Sequence, residues 1–328
     1  DLLDLSIAGG GYHRTSLRRS WRSIGPVSAI DYFKRSNEAC HQAVDKNVES
    51  DIAAMTLTEI KQILRERNIR LTRSLGQNFL HDQNQIRRIA DAAEIQPGEK
   101  VLEIGPGLGP LTRELLARKA QVKALEIDQR LIESLKVLFE TSPNLTLEHV
   151  DALKLLKKEA FDWSDWKLAA NLPYSVASPI LVELALSKHA PRRMTATLQS
   201  EVVDRITSAH NTKSYGVLTL LIKAHFDSVD RFRIPATCFF PEPDVESACV
   251  TLARRPKPLL TDTAMITYVS LVKLAFSQRR KIVWKLLRQR WKSEQLVQAQ
   301  KQLNLDPMAR AQAITFEQFV SLANFLTH

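Results

Sequence analysis

Asn171, Leu172, Pro173 and Tyr174 put an amide, a rigid turn and an aromatic ring in consecutive positions, directly after the apolar Leu168, Ala169 and Ala170. As a bare pattern this reads as a turn at a strand end, because Asn and Pro favour turns. It also suits one reaction, the transfer of a methyl group to an aromatic amine. The lone pair of such an amine is delocalised into its ring and is poorly nucleophilic. Two acceptors on the two amine hydrogens would draw the nitrogen toward a tetrahedral shape and free the lone pair. Asn171 Oδ1 can be one acceptor and the main-chain carbonyl of Leu172 the other. Pro173 fixes φ and so holds that carbonyl still. Tyr174 offers a flat face to a base, a stack worth ~1–3 kcal/mol. No general base is obligatory, since the nitrogen becomes acidic only once methylated. Catalysis would rest on holding donor and acceptor in line.

Such a clamp needs a methyl donor beside it. "EIGPGLG", Glu103 to Gly109, lies at a predicted strand-to-helix junction. Gly105 and Gly107 let the backbone turn tightly and approach a ligand. The amides that open the next helix would face it. A nicotinamide dehydrogenase needs glycine two and five positions after the first. Here the fifth position is Pro110, and the third glycine comes early, at Gly109. The spacing suits S-adenosyl-L-methionine better, where no pyrophosphate must be cradled. Glu126 ends the next strand, "ALEID", where a carboxylate can accept both hydroxyls of a ribose. Asp151, in "HVDAL", can take the amino group of an adenine or cap the helix that follows.

These residues fall at the ends of consecutive strands. From about residue 99 to 202 the strands "KVLEIG", "QVKALEID", "NLTLEHVD", "WKLAAN" and "RMTATLQ" are interleaved with helices such as "LTRELLARK", "RLIESLKVLF" and "SPILVELAL". That alternation predicts a doubly wound, mostly parallel sheet with its ligands at the carboxyl ends of the strands. From about residue 261 the pattern is helical only. Upstream, Met55 opens "MTLTEIKQILRERN". Thr56 and Glu59 there form a capping box, and Leu57, Ile60, Ile63 and Leu64 mark one helix face. Residues 1–54 have no sustained periodicity and carry seven Lys/Arg against seven Asp/Glu. They read as a disordered extension or as upstream readthrough ahead of a start at Met55. They are too acidic for an organelle transit peptide.

The 328 residues carry a net charge of +10, all of it after residue 54, which points to a polyanion such as nucleic acid or only to a soluble basic surface. No apolar run approaches the ~20 residues of a membrane span. Cys40, Cys238 and Cys249 form no metal-type pair, no metal site is expected, and their sparseness fits a reducing cytosol.

Taken together, the motifs resemble the KsgA-type family of ribosomal RNA adenine N6,N6-dimethyltransferases. "SLGQNFLHD", "EIGPGLG", "EID", "DAL", "NLPY", "LQSEVVDRI", "SYGVLTLL", "FFPEPDVESACV" and "AFSQRRK" occur in the family's order over residues 55–328. The resemblance implies a class I, Rossmann-like α/β methyltransferase with a mostly parallel seven-stranded sheet over residues 55–256, and a small all-helical RNA-binding domain over 257–328. It implies that Asn78, Leu80, Gly105, Glu126, Asp151 and Asn171 contact S-adenosyl-L-methionine and that Gln77 lines the same site. It also implies that Phe239 stacks the target adenine opposite Tyr174, as flipped-base chemistry would use. From the sequence alone a core position for Phe239 is the alternative. Phe240 stands where relatives often carry a small or polar residue, which leaves open which ring stacks.

The implied substrate is a pair of adjacent adenosines in the 3′-terminal hairpin of small-subunit ribosomal RNA, within a pre-30S particle, acted on by a cytoplasmic monomer. The related large-subunit methyltransferase of the macrolide-resistance type is the nearest rival, and a non-catalytic assembly factor is another. Residues 273–292 hold eight Lys/Arg and no acid. Arg279, Arg280, Lys281, Lys285 and Arg288 are expected to meet RNA phosphates, with helical spacing gathering Lys281, Lys285, Arg288 and Lys292. Trp284 and Trp291 can stack on RNA or pack in a core.

Overall fold

The computed structural model describes residues 55–71, 77–158 and 161–327. The expectations for residues 1–54, and for residues 74–76 of the first cofactor motif, lie outside the described residues. Thr56 and Glu59 close the expected capping box. Thr56 N donates to Glu59 Oε2 at 2.6 Å, and Glu59 N to Thr56 Oγ1 at 3.3 Å. Helix α1 (Leu57–Glu66) follows, with Ile60 and Leu64 buried. A short strand β1 (Phe79–Leu80) precedes α2 (Gln83–Ala92), which Asp82 caps.

Strands and helices then alternate as β2 (Lys100–Ile104), α3 (Pro110–Ala117), β3 (Gln121–Glu126), α4 (Gln129–Leu138), β4 (Leu145–His149), α5 (Ala152–Lys158), β5 (Trp166–Asn171), α6 (Ala177–Leu186) and β6 (Arg193–Gln199). Helices α7 (Ser200–Ile206) and α8 (Val217–Lys223) lead into β7 (Phe226–Ile234), the short β8 (Phe239–Phe240) and β9 (Ser247–Arg254). The chain closes with α9 (Asp262–Ala275), α10 (Val283–Leu287), α11 (Ser293–Gln302) and α12 (Phe316–Thr327).

Among the described residues the main sheet has seven strands in the order β4-β3-β2-β5-β6-β9-β7. Its first four pairings are parallel, and β9 runs antiparallel to both β6 and β7. The period-2 alternation of strands sorts side chains to two faces. Leu102, Ile104, Leu168 and Ala170 pack on α6, while Val101 and Ala169 pack on the side of α2 and α3. Leu168, Ala169 and Ala170 are each 0% exposed, as expected of a parallel strand covered on both faces.

Strand order reverses between β2 and β5. Their pairing stops at Leu102 and Leu168, so no ladder bond joins their carboxyl ends. Asn171 stays paired with Thr197 of β6 instead. A crevice at the strands' carboxyl ends, at such a reversal, is where doubly wound folds place ligands.

A second core lies among α9 to α12. It also takes in Tyr215 and, from α8, Leu220 and Leu221. Tyr215 Oη donates to the carbonyl of Ile314 at 3.0 Å, and Tyr268 Oη to that of Leu220 at 2.9 Å.

Candidate active site

The glycine loop after β2 is shaped by its neighbours. Gly105 has φ +71°, and a Cβ there would lie 3.1 Å from the ring of Pro173. The first half of the site and the NLPY turn are thus packed directly together. Gly107 has φ +64°, and a Cβ would lie 2.8 Å from the ring of Phe79. Both positions have left-handed backbone, which glycine adopts most readily; a Cβ would crowd Pro173 at Gly105 and would overlap Phe79 at Gly107. Gly109 and Pro110 then open α3.

Glu126 ends β3 and is 6% exposed. Its Oε2 accepts from Gly107 N at 3.2 Å, and its Oε1 from Ile127 N at 2.8 Å and Asp128 N at 3.0 Å. Burial raises its pKa above the ordinary value, and those three amides oppose the rise. Glu103, inside β2, is 1% exposed and accepts from Thr112 Oγ1 at 2.6 Å. Burial pushes its pKa up to about 8; the Thr112 bond opposes this and the charge of Glu126 adds to it. The cleft therefore holds one carboxyl that is largely neutral at pH 7.

Asn171 sits at the end of β5. Its Nδ2 donates to the carbonyl of Asn78 at 2.9 Å. A carbonyl oxygen can only accept, so this bond sets the orientation of the amide. Oδ1 is left buried, with no partner among the described residues. A buried, unpaired acceptor at the edge of a cleft is costly unless a ligand supplies a donor. Leu172 is 1% exposed, and its carbonyl likewise accepts no bond from the described residues. Tyr174 is half-buried, and its hydroxyl lies 2.5 Å from Ser247 Oγ. Burial raises its pKa, against the Ser247 bond.

These residues line one open cleft of ≈ 670 Å³. Gln77, Asn78, Leu80, Glu103, Gly105, Gly107, Glu126, Asn171, Leu172, Pro173 and Tyr174 all border it. Gln77 also donates to Asp128 Oδ2 at 3.0 Å, and Asp128 is held below the usual carboxylate range chiefly by its bond to Arg130. A second hollow of ≈ 510 Å³ shares Gly105, Glu126, Ile127 and Pro173 with the first and adds Val150, Asp151, Val176 and Ile180. Asp151 lies in this second hollow, and its Oδ1 also accepts from Lys154 N at 3.1 Å, as a helix cap does. Both readings of Asp151 thus have a physical footing.

Phe239 departs from expectation. It is 1% exposed and packs with Leu80, Ile234 and Cys238. Pairing in register with Leu80 turns its ring to the core face, and it borders neither hollow. The expected two-ring sandwich is not formed in this structure. Phe240 points the other way, half-buried with Lys61 Nζ 5.0 Å from its ring centroid. Glu103 and Thr112 were missed by sequence reasoning. The available signal was an acid inside the apolar run "VLEIG".

The basic segment is not one helix. Its first residues end α9 and Val283–Leu287 form α10, with a break between, so Lys281, Lys285, Arg288 and Lys292 do not share a helix as the spacing predicted. Tertiary contacts prevail there. Ile282 bridges to Arg310, Val283 N donates to Ala309 O at 2.9 Å, and Trp284 Nε1 donates to Asp306 O at 2.8 Å. Trp284 is core, at 2% exposed. Arg279 donates to the carbonyls of Lys213 at 2.8 Å and Tyr215 at 3.0 Å. It ties the segment to the loop before α8. Arg280, Lys281, Lys285 and Arg288 are exposed. Among the described residues no helix is long and apolar enough to cross a membrane, and no group of three or more His, Cys, Asp or Glu is arranged to hold a metal.

A family model described as ribosomal RNA adenine dimethylase matches residues 68–328. The ribosomal RNA small subunit methyltransferase A of Listeria innocua is 36% identical over 276 residues, covering 81% of this chain and 94% of that protein. The crystal structure of the 23S rRNA methyltransferase ErmE superposes with a TM-score of 0.60 at 29% identity, over 76% of this chain and 100% of that one. A dimethyladenosine transferase from Plasmodium falciparum shares the fold, with a TM-score of 0.63 at 23% identity, over 74% of this chain and 95% of that one.

Proposed function

The chain belongs to the ribosomal RNA adenine dimethylase family, and from that premise we propose that it dimethylates N6 of two adjacent adenosines in the 3′-terminal hairpin of small-subunit ribosomal RNA. The observation that carries this reading is Asn171: its Nδ2 donates to the Asn78 carbonyl, and its Oδ1 is buried with no partner among the described residues, at the edge of the glycine-lined cleft.

The cleft suits S-adenosyl-L-methionine. Gly105 and Gly107 border it with bare backbone, and Glu126 stands at the strand end where ribose hydroxyls are accepted. Gln77, Asn78, Leu80 and Asp151 complete the proposed cofactor contacts. When bound, this cofactor supplies a methyl group on a sulfonium. The rest of the work falls to the chain. Asn171 Oδ1 and the Leu172 carbonyl hold the two amine hydrogens. Pro173, wedged against Gly105, keeps that carbonyl in place. Tyr174 bears the face of the base. Phe239 joins the stack only if its ring leaves the core as the base enters. The exposed Arg280, Lys281, Lys285 and Arg288 are the proposed phosphate contacts, on a pre-30S particle in the cytoplasm, with the enzyme acting as a monomer.

Incubating separated ribosomal subunits with the protein and labelled cofactor, followed by mass spectrometry of adenosines, tests this reading. Dimethyladenosine is expected in the small subunit. Label confined to the large subunit would favour the activity named for ErmE. Asn171→Ala is expected to lower transfer at least ~100-fold, because it removes an acceptor that orients the nucleophile. If that variant still supports small-subunit assembly, binding is a separate role of the protein.

A further inference from the structure

Tyr174 carries a hydroxyl that stacking does not require, since phenylalanine offers the same face. That hydroxyl meets Ser247 Oγ at hydrogen-bond distance, 2.5 Å. Ser247 is 0% exposed and opens β9. It is held from both sides, paired with Gln199 of β6 and with Ile234 of β7. A residue laddered between two strands has little room to move. Tyr174 sits on the turn between β5 and α6, where the backbone alone fixes a ring less firmly. The contact joins two motifs 73 residues apart, the NLPY turn and the "FFPEPDVES" segment.

We infer that Ser247 is a positioning residue for methyl transfer: its hydroxyl fixes the plane of the Tyr174 ring and, through it, the approach of the target amine. The inference rests on the reaction proposed above. In the first transfer the amine has two hydrogens, and both clamp oxygens can grip it. The C–N bond forms as the S–C bond breaks, and the nitrogen then gives its extra proton to solvent. The monomethylated amine has one hydrogen left for two acceptors. Its orientation therefore depends more on the ring beneath the base. The second transfer is the step that needs Ser247 most.

The test uses the full chain and small-subunit RNA particles under single-turnover conditions, with N6-monomethyl- and N6,N6-dimethyladenosine quantified separately. Ser247→Ala and Tyr174→Phe are each expected to slow the second transfer about tenfold and the first no more than about twofold, as expected for a misaligned rather than a lost reactant. Monomethyladenosine should accumulate. The double variant should match the single ones, because each removes the same contact. Ser247→Thr should restore the second transfer, and affinity for S-adenosylhomocysteine should be unchanged throughout. A loss of folded enzyme slows both transfers alike. A monomethyl-to-dimethyl ratio in Ser247→Ala equal to that of the parent overturns the inference, and so do additive losses in the double variant. If the parent chain transfers no methyl at all, the proposed reaction fails first.

Discussion

Glu103 is an acid with almost no water to solvate its charge. Unfolded, it titrates near 4.5; folded, near 8. Between those values the folded chain holds a proton that the unfolded chain has released. The stability contributed by the neutral form is complete below pH ~4.5 and is lost as pH rises through about 8. Glu103→Gln keeps an acceptor for Thr112 and removes the titration. Thermal melts should show the variant more stable than the parent at pH 9, by on the order of 5 °C, with little difference at pH 5. Equal melting temperatures across that range would mean that the carboxyl ionises freely. At this scale the sequence was uneven in what it disclosed. Asn171, Gly105, Gly107 and Glu126 stand at strand ends, where spacing reveals them. Glu103 and Ser247 are defined by partners nine and 73 positions away, and no local pattern encodes such partners.

The elements were mostly legible where packing and periodicity agree. Each strand and helix expected between residues 99 and 202 is present within about two residues, the usual uncertainty of helix ends. The segment around α10 was not legible, because the backbone that enters it, at Ile282 and Val283, pairs with residues 310 and 309 rather than continuing a helix from upstream. The facing of Phe239 was not legible for a similar reason. Its facing is set by register with Leu80, on a strand distant in sequence. The exposed cations of this segment carry the element-scale prediction. Changing Arg280, Lys281 and Arg288 together to alanine should weaken RNA binding at least ~10-fold and make the slope of log affinity against log salt shallower by about 2–3. Cofactor affinity, measured by calorimetry, should stay the same. Arg279 is left out of that set, since its guanidinium supports backbone carbonyls and its loss would confound folding with binding.

At the scale of the whole molecule, the boundary expected at residues 256 and 257 does not divide the apolar interior. Tyr215, Leu220 and Leu221 lie in the second core, while Leu218 and Ile222 of the same α8 lie in the sheet's core. Removing residues 257–328 would bare one face of α8 and strip the Tyr215 hydroxyl of its acceptor. The shortened chain is expected to lose its cooperative thermal transition and to aggregate, as exposed apolar faces do. A truncated chain that melts sharply and stays monomeric by light scattering would contradict this.

A helix anchored in two interiors at once couples the position of one to that of the other. In the proposed reaction the enzyme then works as a caliper of fixed span, one jaw on the phosphates and the other on the base. An RNA stem lengthened by a single pair would carry its adenosines past the jaw, however well its sequence matched.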